Sequence, residues 1–250
     1  MIKPATYFAC LMAVAALAGC NSKKAENTAK TENVKYEHTS VPKGGDWSDV
    51  INATPDGGVM MGDPNAKVHL IEIGSLTCPH CREFEETAVK PLIEKYVKTG
   101  KVSYEFRNYI RDTFDMSALL IAKCNGPETF FPLSMALYAD QPQWVGNIQK
   151  TPEDQLDKLQ TLPENQLALQ AAKFAGLLDW AAARGVPQAK ATQCLTDTAA
   201  IDRVVNQSGS IAQQWPDFAG TPNFVIDGTL NTKIASWKDL DAALQSALGG

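Results

Sequence analysis

The chain lacks what several classes of protein require. Its 23 lysines and arginines stand against 28 acidic residues, for a formal charge of -5, and they form no basic cluster. That argues against nucleic-acid binding, since a mildly acidic surface serves mainly solubility. There is no glycine-rich phosphate loop and no internal repeat. Only one close pair of cysteines is present, whereas structural zinc usually takes four ligands from two such pairs, so no metal and no cofactor is expected. The apolar stretch from Ala5 to Leu17 is too short to span a bilayer as a helix. What is there suits a folded protein: 44% hydrophobic and 20% charged residues in a 250-residue chain can bury a core for one domain, or for one domain carrying an insertion.

The first twenty residues, with a lysine, an apolar run and then small residues, suit a secretory signal. The order Leu17-Ala18-Gly19-Cys20 resembles the bacterial lipobox, in which the cysteine is lipidated and becomes the new N-terminus. The expectation is therefore a signal peptide over 1–19, lipidation at Cys20, and a protein anchored in the bacterial cell envelope facing the periplasm. Residues 20–43 are polar without apolar periodicity and read as a flexible tether, with His38 a solvated linker residue. Cys10 falls in the removed segment.

After the tether, "VINATPDGG" reads as an edge strand and a turn, and "KVHLIEIGS" as a buried central strand. The next segment, "TCPHCREFEETAVKPLIEKYVKTG", places Phe84, Ala88, Leu92 and Tyr96 at helical spacing. Thr77 is the expected N-cap, Pro79 fits the first turn, and Pro91 should kink the helix. "KVSYEFRNY" alternates as a half-buried strand, which predicts a right-handed βαβ unit. From residue 115 to 215 strand patterns give way to alanine- and leucine-rich helical segments, a helical insertion between 44–114 and 216–250. "PNFVIDG" then restores the strand signal, with "NTKIASW" as hairpin partner and a closing helix capped by Ser236 with Asp239 at N3.

Cys78 and Cys81 bracket Pro79-His80 at a helix start. Unpaired backbone N–H groups and the positive end of the helix dipole there stabilise a thiolate on Cys78, the form that attacks disulfides. Cys81, one turn further in, can close the ring and expel a mixed-disulfide partner. A cationic or donating His80 imidazole would lower the Cys78 thiol further, which favours the reduced form and makes the pair an oxidant. A purely structural CxxC disulfide remains an alternative, of small stabilising value because its loop is short.

Cys-Pro-His-Cys after a central strand, the kinked helix, the helical insertion and then "GTPNFVIDG" together resemble the DsbA-type thiol:disulfide oxidoreductases of the thioredoxin superfamily, from about Gly44 to the C-terminus. The resemblance implies an α/β thioredoxin fold, a central mixed β-sheet flanked by helices, with an inserted all-helical subdomain. It implies a cis-proline at Pro222 after Thr221, in a loop that docks substrate, and a buried carboxylate at Glu72 that relays the proton of Cys81. The strand pattern agrees, because Glu72 shares a face with Val68 and Leu70, with His69 opposite. Cys124 and Cys194 are expected to form a structural disulfide, or to stay as two buried thiols. The expected partners are reduced or unfolded exported proteins and a DsbB-like membrane oxidase, and the expected state is a monomer. Thr221 stands where the best-known oxidase subgroup has valine and isomerase-type relatives have threonine. Only about 25 residues separate Cys20 from Gly44, too few for the N-terminal dimerisation domain of those isomerases. A reductase or isomerase on the same fold, and a non-catalytic binding lipoprotein, are the alternative functions.

Overall fold

The computed structural model describes residues 34–250. The signal sequence, Cys20 and most of the tether lie outside the described residues. Six strands, β1 (Ile51–Ala53), β2 (Val59–Met61), β3 (Val68–Gly74), β4 (Val102–Asn108), β5 (Asn223–Ile226) and β6 (Thr229–Asn231), form one mixed sheet in the order β1-β2-β4-β3-β5-β6. β3 and β4 are parallel, joined by the helical crossover expected of a βαβ unit, and every other neighbouring pair is antiparallel. β3 therefore sits centrally, and its C-terminal end delivers the chain to the cysteine pair.

The crossover begins as α1 (Pro79–Phe84) and continues through a π turn (Glu85–Val89), α2 (Lys90–Leu92) and a second π turn (Ile93–Val97). Phe84, Ala88, Leu92 and Tyr96 are all buried, at 5%, 0%, 0% and 3% exposure. A row repeating every four residues drifts around an α-helix of 3.6 residues per turn; π turns hold more residues each and keep that row facing the sheet. Pro91 lies between the two π turns, where the helix is already loosened.

The insertion comprises α3 (Thr113–Ala122), α4 (Phe130–Ala139), α5 (Gln141–Gln149), α6 (Glu153–Leu159), α7 (Glu164–Ala175), α8 (Leu177–Ala182), α9 (Gln188–Thr196) and α10 (Thr198–Gln214). α11 (Trp237–Leu248) closes the fold, with Ser236 accepting from the Asp239 N–H at 3.3 Å as its cap. No helix among the described residues is long and apolar enough to cross a membrane. The main core joins the Val68–Leu70 face of β3 and the Tyr104–Phe106 face of β4 to α1, α3, α4, α7 and α11. A smaller cluster of Ile73, Val225 and Ile211 lies on the other face.

Three expectations need correction. β2 pairs with β1 and β4, an element whose three residues carry no alternation. β4 is buried on both faces rather than half-buried: Ser103 is 2% and Glu105 8% exposed, because Thr54 Oγ1 donates to Glu105 at 2.6 Å and Arg107 Nε at 2.6 Å. The partner of β5 is Thr229–Asn231, directly after the Asp227-Gly228 turn, so only Asn231 of "NTKIASW" is in it. His38, read as a solvated linker residue, is exposed as expected but not loose: its N–H donates to Asn52 Oδ1 at 2.8 Å, its carbonyl accepts from Asn52 Nδ2 at 2.8 Å, and its ring lies 3.3 Å from Glu128.

Candidate active site

β3 ends at Gly74, and the turn Ser75-Leu76-Thr77-Cys78 leads into α1. Cys78, with φ -79° and ψ 121°, is the N-cap itself, and Pro79 occupies N1, where its missing N–H costs nothing. Thr77, expected as the cap, lies one residue too early and donates its hydroxyl to Asp112 at 3.0 Å instead. The Thr221–Pro222 peptide is cis. Cys78 Sγ donates to the Thr221 carbonyl at 3.3 Å, so two segments 143 residues apart in sequence meet at the sulfur.

The two thiols are free and differ sharply. Cys78, 4% exposed, is held down at about 5: the hydrogen bond from Cys81 contributes most, Thr221 and the backbone N–H groups of Cys81 and His80 add to it, and burial opposes them. Cys81 is fully buried, and its thiol is pushed far up by burial, by its hydrogen bond to Cys78 and by the charge of Glu72. One sulfur thus ionises readily while its neighbour keeps its proton. The His80 side chain is 78% exposed, with Nδ1 3.8 Å from Glu83 Oε2, so His80 acts on Cys78 in this structure through its backbone N–H.

Glu72 is 1% exposed, on the core face of β3. Burial pushes its carboxyl up to about 8, against the Tyr104 hydroxyl that donates to Oε2 at 2.6 Å, and the charges of Glu85 and Cys78 push the same way as burial. His69 faces the other way, its Nδ1 2.6 Å from Ser103 Oγ. Cys124 and Cys194 are joined in a disulfide that ties the end of α3 to α9, closing 70 residues.

Several residues of the site are not singled out by the sequence. Glu85, one turn beyond Cys81, is raised to about 7 by burial. Tyr104, Asp115, Tyr138 and Gln141 are buried polar groups around the turn and Glu72. Only the spacing of Glu85, four residues after Cys81, could have pointed to a site residue.

A groove of about 540 Å³ opens beside Cys78. Phe84, Pro222, Phe224, Ile234 and Trp237 line it, with His80, Glu83 and Lys238 at the rim.

The sequence family described as Thioredoxin matches residues 54–246. The fold of a protein-disulfide isomerase from Novosphingobium aromaticivorans superposes with a TM-score of 0.72 at 31% identity, covering 76% of this chain and 97% of that one. Wolbachia pipientis alpha-DsbA1, at 24% identity and a TM-score of 0.62, covers 78% of this chain and 92% of its own and shares the fold. A Rickettsia prowazekii protein named as a protein-disulfide oxidoreductase is 25% identical over 194 residues, 77% of this chain. The chain spans 62% of that relative's length. The family match and the shared fold agree: the chain belongs to the thioredoxin family.

Proposed function

We infer that this protein is an exported disulfide donor, held at the bacterial envelope by a lipid on Cys20, that oxidises reduced secreted proteins through Cys78 and Cys81. The observation that carries the reading is the asymmetry of the pair: a Cys78 thiol at about 5 beside a fully buried, protonated Cys81. In the oxidised enzyme a substrate thiolate attacks Cys78 Sγ, the Cys78–Cys81 bond breaks, and Cys81 leaves and takes a proton, with Glu72 its relay. A second substrate thiolate then attacks its own sulfur in the mixed disulfide and releases Cys78 as a stable thiolate. The substrate loses two electrons, which the enzyme holds as a dithiol until a DsbB-like membrane oxidase takes them.

The direction follows from the leaving group. At pH 7, a thiol lowered from about 9 to about 5 stabilises the reduced form by about 2.7 kcal/mol, or about 60 mV for two electrons. Thr221 and Pro222 supply the docking element, and His80 tunes the sulfur through its backbone N–H.

Equilibration of the pair with glutathione buffers tests the reading. A potential well above the roughly -270 mV of thioredoxin supports a donor, whereas a value near it would point to a reductase. A second reading, isomerase, draws on Thr221 before the proline and on the name of the Novosphingobium relative. Recovery of a substrate carrying wrong disulfides, faster than that of a reduced substrate, would favour it.

A further inference from the structure

We propose that Gln141, the first residue of α5 in the helical insertion, is a positioning residue for Cys78, fixing the backbone of the turn that carries the sulfur to the helix start. The inference rests on the reading of Cys78 and Cys81 as the reacting pair.

Residues 75–78 bridge a strand and a helix, so several of their backbone groups have no partner within either element. The insertion supplies them. Asp115 of α3 accepts from the Leu76 N–H at 2.8 Å and from Ser75 Oγ at 2.6 Å. Tyr138 of α4 donates to the Ser75 carbonyl at 3.1 Å. Gln141 Nε2 donates to the Leu76 carbonyl at 2.8 Å and the Cys78 carbonyl at 3.1 Å. All three side chains are buried, at 0%, 1% and 5% exposure. Three helices separated from the turn by 39 to 65 residues thus converge on three of its four residues.

Of the three, Gln141 alone touches the residue bearing the reacting sulfur. The Cys78 carbonyl also accepts the first intrahelical bond, from the Arg82 N–H at 3.2 Å, so its direction sets how the helix start meets the sulfur. Without the amide, the buried Leu76 carbonyl has no donor, and an unsatisfied buried acceptor costs about 1–3 kcal/mol. The turn relieves that cost by moving, and Cys78 Sγ moves off the N–H groups of His80 and Cys81 that hold its charge. The insertion then acts on the reactivity of Cys78 without touching its sulfur.

The test compares wild type with Gln141→Met, which keeps the length and removes the donors. Cys78 ionisation is read by thiolate absorbance against pH, and exchange by reaction with a small aromatic disulfide at pH 5. The expected result is a Cys78 titration about one unit higher and about fivefold less thiolate at pH 5, with the same helical circular dichroism. An unchanged titration in folded Gln141→Met overturns the inference alone. A wild-type protein that ionises near 5 but exchanges no disulfides overturns the functional reading alone. If Gln141→Met does not fold, Gln141→Asn takes its place: it keeps the amide but is one methylene shorter and cannot span both carbonyls, so its Cys78 titration should also rise, and an unchanged titration there overturns the inference.

Discussion

The Tyr104 hydroxyl donates to Glu72 at 2.6 Å, with both side chains at 1% exposure and no cation among the hydrogen-bond partners of that carboxylate within the described residues. Burial therefore dominates, and Glu72 holds its proton to about 8. A carboxyl raised in the fold binds more protons there than in the unfolded chain between about pH 4.5 and 8, so its contribution to stability is present at acid pH and is lost as pH rises through that window. In the oxidised protein, thermal unfolding should occur at a lower temperature at pH 8 than at pH 5. Glu72→Gln should flatten that slope, by an amount on the order of 4 kcal/mol between the two ends, with Glu85 and Asp115, each at about 7, keeping the remainder. A melting curve for Glu72→Gln as steep in pH as wild type would show that Glu72 titrates normally.

Glu72→Gln should also slow one half-reaction only. General acid–base help is typically worth 10²–10⁴-fold, so resolution of a mixed disulfide by Cys81 should slow by about a hundredfold, while attack by Cys78 on a small disulfide changes less than about threefold. Trapping the mixed disulfide by acid quench and counting it by mass measures both. Equal slowing of the two steps would remove Glu72 from the relay.

Cys78 gives the opposite sign. Its thiol is lowered from about 9 to about 5, so the reduced protein gains stability as pH rises from 5 towards 9, a gain the oxidised protein lacks. The difference in unfolding free energy, reduced minus oxidised, should widen by about 1.4 kcal/mol per pH unit in that window. The potential should fall by about 30 mV per unit above pH 5, where one proton accompanies two electrons, and by about 60 mV per unit below it. Potentiometry from pH 4 to 8 locates the break, and a single slope across the range would contradict a thiol at about 5.

The parts of the site that could be read from sequence are those whose physics is local. Cys78, Pro79 and Cys81 sit within one turn, and Glu72 is given away by the two-residue period of β3. β2 escapes notice because Val59–Met61 is three uniformly buried residues between Gly58 and Gly62. Ser103 and Glu105 look like a solvent face because the groups that cover Glu105, Thr54 and Arg107, reach it only through tertiary structure. Gln141 fails to register for the same reason: a glutamine on a helix reads as surface, and its two acceptors are 63 and 65 residues away.

The Cys124–Cys194 bridge closes 70 residues of the insertion. On the chain-entropy account, removing it with the double substitution Cys124→Ala and Cys194→Ala should cost about 4 kcal/mol of stability. The bridge lies away from the groove beside Cys78, so the Cys78–Cys81 potential should stay within about 10 mV of wild type. Urea unfolding and glutathione titration of the double variant separate the two effects. A large shift in potential would make the bridge part of the redox machinery.

If peptides seat in the groove as proposed, recognition can be separated from chemistry. Trp237 begins α11, lines the groove with Ile234 and Phe224, and packs on Tyr96 with ring centroids 6.3 Å apart. An apolar peptide side chain seated there would lose much of its contact area in Trp237→Ala, about 2 kcal/mol for a buried aromatic surface of moderate size. For a peptide with an apolar residue near its cysteine, KM should rise about thirtyfold, while the glutathione potential and the reaction with a small disulfide hold at wild-type values. Lys238→Glu at the rim should change the rate for charged peptides by only a few-fold, and that effect should vanish at 0.5 M salt, because exposed charges are screened. Equal loss with peptide and small disulfide in Trp237→Ala would mean that the tryptophan supports the fold of the site and that peptides bind elsewhere.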